Sequence, residues 1–114
     1  MVKRFIYVKT DYPMLHQYKK APDEVSFLKY LHRHIFKFKI CIEVGEQDRD
    51  IEFFIFKNYI DVLIVDMDET LGDGRSCEQM SNFLYKKITN EYPKREIRID
   101  VSEDGENGSY VEYS

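Results

Sequence analysis

Apolar and polar residues alternate most strictly in the run Phe36-Lys37-Phe38-Lys39-Ile40-Cys41-Ile42-Glu43-Val44. A side-chain period of two marks a half-buried strand, predicted here over residues 32–44. A second alternating stretch, residues 2–9, sets Phe5 and Tyr7 against Ile6 and Val8 and predicts another strand. Residues 10–31 carry Pro13, Pro22 and mixed polarity, and read as a long connection with a short helix from Asp23 to Tyr30. Gly45 to Asp50 reads as a turn and Ile51 to Phe53 as a short returning strand. Residues 54–65 fit a helix with Ile55, Tyr59, Val62 and Leu63 as its apolar stripe, although Phe53 to Ile55 fit an extended chain equally well. Asp66 to Arg75 reads as an acidic, glycine-containing loop.

The next helix has explicit punctuation. Ser76 is an N-cap, Gln79 completes a capping box, and Glu78 suits the positive end of the helix dipole. Met80, Phe83, Leu84 and Ile88 form its buried stripe, and Pro93 ends it. Residues 96–103 alternate again, Asp104 to Gly108 reads as a hairpin turn, and Ser109 to Tyr113 pairs back. Two hairpins and two helices predict a single α+β domain over residues 1–114, with an antiparallel four-stranded sheet and both helices packed on one face. Such a sheet has open edges, which subunit association commonly closes.

Composition narrows the partners. With 17 Lys and Arg against 21 Asp and Glu, the net charge is −4, which argues against a nucleic-acid binder driven by a general basic field. The longest apolar run, Val62 to Val65, is far short of a membrane span, and the residues after Met1 have no signal-peptide core. Cys41 and Cys77 make no disulfide framework and fit a reducing compartment. The expectation is a cytoplasmic protein with neither a nucleic-acid nor a membrane partner.

The chain has three histidines, His16, His32 and His34. Residues 32 and 34 of a strand share a face, so their imidazoles can grip one ion. A third from a separate segment completes the three-protein-ligand set of a catalytic zinc and leaves one position open. Against this stands a plain alternative: histidines near strand ends are common on surfaces.

Five motifs, in order, then suggest a family. Met14-Leu15-His16 looks like an Ala-Ala-His ending a first strand, and Leu31-His32-Arg33-His34-Ile35-Phe36 like Leu-His-Gly-His-Asn-Tyr. Ile51-Glu52-Phe53 with Lys57 is similar to Met-Asp-Phe-x-x-Leu-Lys, and Ser76-Cys77-Glu78-Gln79-Met80-Ser81 to Thr-Ala-Glu-Asn-Leu-Ala. Val101-Ser102-Glu103-Asp104 falls where Val-x-Glu-Thr would stand. Over nearly its whole length the chain resembles the tunnelling-fold 6-pyruvoyl-tetrahydropterin synthases and the related 6-carboxytetrahydropterin synthases of deazapurine biosynthesis. The resemblance implies a Zn2+ held by His16, His32 and His34, and a pterin- or purine-like ring anchored by Glu103. It also implies a homo-oligomer, a trimer or hexamer, with the pocket between subunits, where Glu103 could come from a neighbour of the chain that supplies zinc.

The departures matter as much. The family's catalytic cysteine, four positions before the H-x-H pair, is Leu28 here. Cys41 falls on the strand face opposite the histidines. Cys77 sits at a helix N-terminus, which is expected to lower its thiol pKa. The family's Asp-His pair before the second helix corresponds to Asp66-Met67-Asp68-Glu69-Thr70-Leu71, with no histidine. Asp68 or Glu69 is the candidate replacement base, and a solvated acidic loop is the plainer reading. Arg33 replaces the glycine of His-Gly-His and puts a cation on the face away from the histidines. Two functions follow: a zinc-dependent lyase acting on a dihydropterin such as dihydroneopterin triphosphate, or a zinc-containing module that binds a pterin, purine or nucleotide without turnover.

Overall fold

A computed structural model describes all residues, 1–114. Strand β1 (Arg4–His16) is followed by a short 3-10 segment (Asp23–Lys29) and β2 (His32–Val44). Helices α1 (Phe53–Leu71) and α2 (Cys77–Glu91) come next, and β3 (Ile97–Glu103) and β4 (Asn107–Tyr113) close the chain. The four strands form one antiparallel sheet in the order β1-β2-β3-β4, with both helices against one face. This is the α+β architecture expected from the hydrophobic pattern.

The core lies between sheet and helices. Phe36, Phe38, Ile40 and Ile42 of β2 meet Ile97, Ile99 and Val101 of β3. Phe56, Ile60, Ile64 and Met67 of α1, with Met80, Leu84 and Ile88 of α2, cover them. The helical spacing of three and four between these positions gives each helix one continuous buried edge. The capping box at Ser76 and Gln79 is present in both directions.

Three expectations are corrected. First, β1 does not stop at residue 9 but runs to His16, paired throughout with β2. Alternation continues there, with Thr10, Tyr12 and Met14 inward. Pro13 hides it from the sequence, yet the ring is tolerated because β1 is an edge strand, where a missing N–H costs no sheet bond. Second, residues 51–53 form no returning strand. Glu52 caps α1, its carboxylate accepting from the Ile55 N–H at 2.8 Å. Third, α1 does not end at 65: Asp66 to Leu71 remain helical because Met67 still reaches the core, and Gly72 at φ +74° ends the helix. Its buried edge is also rotated from the expected stripe, leaving Ile55 and Val62 exposed. The helix carries apolar residues nearly all round, so periodicity alone does not select a face.

Candidate metal centre

The inward positions of β2 are polar at one end and apolar beyond it: His32 and His34, then Phe36, Phe38, Ile40 and Ile42. Register brings the rest of the site to that polar end. His16, the last residue of β1, pairs with His32, the first of β2. Glu103, the last of β3, pairs with Phe36 and so reaches the next inward row. The imidazole centroids are 5.2 Å apart for His16 and His32, 4.7 Å for His32 and His34, and 6.2 Å for His16 and His34. Phe36 closes the floor, edge-on to His16 and His34.

The closest donor group is His16, His32 and Glu103, each offering one ligand atom within 4.8 Å of the others, and this group could hold a metal ion. His34 stands beside it, with Nε2 at 3.3 Å from Glu103 Oε2. The set expected from the sequence was the three histidines. The structure adds Glu103 of the same chain and places His34 at the edge, its ring bound on the far side by Asp104.

Hydrogen bonding leaves lone pairs facing inward. His32 Nδ1 lies 2.8 Å from the Tyr30 carbonyl, which can only accept, so that nitrogen carries the proton. In the neutral ring its Nε2 is then a bare acceptor, buried with no partner, and one ring nitrogen of His16, Nδ1, is likewise buried without a partner. His34 Nδ1 lies 2.7 Å from Asp104 Oδ2, and a carboxylate likewise only accepts. Burial pushes the His16 pKa down, against an upward pull from Glu103, and favours the neutral form that ligates metals. The Ile35 N–H and then His34 hold the Asp104 carboxyl below its ordinary value. Orphaned buried lone pairs are costly unless something electron-poor fills the space, so the residues fit a bound cation.

A pocket of about 670 Å³ opens beside the cluster, lined by His16, Glu103, Leu28, Arg75, Cys77 and Asn107 among others. Leu28 therefore presents an alkyl wall to the site. Cys77 also lines it, but its thiol pKa is pushed up to about 11, by burial first and then by Glu103 and Glu78. The expected lowering by the helix N-terminus is overridden.

Asp68 and Glu69 do not line this pocket. Both lie in the last turns of α1 rather than in a loop. Asp68 is paired with Arg75 at 2.8 Å and accepts from the Tyr12 hydroxyl at 3.4 Å, whereas Glu69 is exposed. Arg75 is almost fully buried, and it also donates to the Leu15 and Gly72 carbonyls. It links the end of β1 to the α1–α2 connection. Arg33 is exposed on the opposite sheet face, as alternation required. Arg75 and Asp104 were not singled out from the sequence. The only hint of Asp104 was its place beside Glu103, and nothing marked Arg75.

No protein-family model matches the chain, and no match is found among curated proteins. No helix is long and apolar enough to cross a membrane.

Proposed function

We propose that this chain is a divergent zinc-dependent protein of the 6-pyruvoyl- or 6-carboxytetrahydropterin synthase kind, whose ligand is a dihydropterin. The observation that carries the reading is the convergence of His16, His32, His34 and Glu103 beside an open pocket, with buried, unpartnered nitrogens on two of the imidazoles. His16, His32 and His34 would hold the ion, and a nitrogen-rich donor set suits zinc. Bound zinc supplies Lewis-acid polarisation of a carbon–oxygen group of the ligand. The Glu103 carboxylate can accept two hydrogen bonds from the amidine edge of a 2-aminopyrimidinone ring. Free thiols fit a cytoplasmic setting, and the uncovered β1 and β4 edges fit a homo-oligomer, trimer or hexamer.

A second reading, ligand capture without turnover, is favoured by three observations. Leu28, matched by the resemblance to the family's cysteine, lines the pocket, Asp68 is engaged by Arg75, and Cys77 is held protonated. Under this reading the ligand is a pterin, a purine or a nucleotide. The test is a fluorescence titration of the zinc-loaded and chelator-treated protein with dihydroneopterin triphosphate and a purine nucleotide. Zinc-dependent pterin affinity is expected. Purine preference would select the second reading, and affinity for neither would end both.

A further inference from the structure

We propose that Asp104 is a positioning residue: it fixes the ring tautomer of His34, so that Nε2 of that imidazole presents a lone pair to the cluster. Asp104 follows the last residue of β3 and adopts φ +57° at the start of the turn into β4. Its backbone N–H donates to the Ile35 carbonyl at 2.8 Å, and its Oδ1 accepts from the Ile35 N–H at 2.8 Å. These two bonds hold the carboxylate against β2 just beyond the last β2–β3 pair, Phe36 with Glu103. Oδ2 is left free of backbone contacts and lies 2.7 Å from His34 Nδ1. A carboxylate cannot donate, so Nδ1 must carry the proton and a neutral ring must leave Nε2 bare. That nitrogen faces Glu103 at 3.3 Å. Hydrogen-bond partners of this kind orient metal-ligating histidines and raise their basicity, and their loss costs about 10- to 100-fold in metal affinity.

For a neutral ring the tautomer follows from the hydrogen bonds; its consequence for zinc rests on the proposed function. The variant Asp104→Asn separates the two. Its amide oxygen can still accept from Ile35 N–H, but its amide nitrogen cannot accept from His34. Ring-nitrogen NMR of the metal-free wild type at pH 8 should show the His34 proton on Nδ1. Asp104→Asn should move it to Nε2 or mix the two forms. A wild type with the proton on Nε2 would overturn the proposal, and that spectrum needs no variant to fold. Zinc titration then gives the second readout. Asp104→Asn should weaken binding by about 10- to 100-fold. In a His34→Ala background it should change affinity by no more than about twofold, because its effect runs through the missing ring. Equal losses in both backgrounds would mean that Asp104 merely holds the turn, and would refute the positioning role. A wild type that binds no zinc yet shows the Nδ1 tautomer would remove the zinc reading and leave the tautomer assignment standing.

Discussion

His34 Nε2 and Glu103 Oε2 stand 3.3 Å apart, and with a neutral His34 ring protonated on Nδ1 both atoms are acceptors. Two lone pairs at that range repel, and a cation held by the histidines beside them offsets that repulsion. His32 Nε2, buried and unpartnered, adds a third acceptor on the same side of the sheet. The wild type should therefore bind close to one zinc per chain in metal analysis. His32→Ala should lose more affinity than the roughly 10- to 100-fold typical of a partner that only orients a ligand. Wild-type protein that dialyses free of zinc at micromolar concentrations would count against a metal site.

Cys77 gives a pH prediction with a definite sign. Its pKa is raised to about 11, so below that pH the thiol keeps its proton and is a poor nucleophile. At pH 8 about one molecule in a thousand carries the thiolate, against about a quarter for an ordinary cysteine of pKa about 8.5. Alkylation of a Cys41→Ser protein by iodoacetamide should be slow at pH 8 and accelerate steeply up to about pH 11. Rapid labelling at neutral pH would make Cys77 a candidate nucleophile.

Asp68 and Glu69 are adjacent in sequence but should behave differently. Arg75 is 3% exposed and relies on Asp68 for charge balance. Removing one partner of a buried pair costs about 3–5 kcal/mol, and Asp68→Ala belongs near the low end because Asp68 keeps a third of its side chain in water. Glu69→Ala should stay within about 0.5 kcal/mol. Urea unfolding of the two variants decides between a structural and a proton-transfer role for Asp68. A fully stable Asp68→Ala protein would return that carboxylate to the list of candidate bases.

What the chain discloses depends on range. β2 and α2 were legible because a single local rule governs each: strict alternation in one, a capping box with clean helical spacing in the other. The shared face of His32 and His34 follows from the same period of two. β1 beyond residue 9 was not legible, because Pro13 reads as a break unless the strand is known to be an edge. The buried face of α1 was ambiguous because Phe54, Ile55, Val62 and Val65 are apolar yet exposed. The pairing of His16 with His32 and of Phe36 with Glu103 is a matter of long-range register, which no local pattern specifies. Asp104 and Arg75 were missed for a related reason. An aspartate in a turn and an arginine in an acidic stretch look like solvated residues until the sheet and helices bring their partners in.

Under the proposed function, Leu28 and Glu103 separate binding from turnover. Both line the pocket, one as an alkyl wall and the other as its nearest carboxylate to His16. Loss of a general acid–base group costs about 100- to 10,000-fold in rate, so the wild type should turn over dihydroneopterin triphosphate weakly. Affinity should survive, because under that reading it depends on Glu103 and the ion. Glu103→Ala should weaken binding of a pterin ring by about 1.5–3 kcal/mol, the scale of hydrogen bonds to a charged group. Leu28→Cys should restore part of the activity, since it places a thiol on the wall of the pocket that His16 and Glu103 also line. Product formation followed by mass, with each protein loaded with zinc, tests all three outcomes together. Robust turnover by the wild type would show that another group on this chain moves the proton. Wild-type binding with an inert Leu28→Cys variant would instead support capture of the ligand as the function of the site.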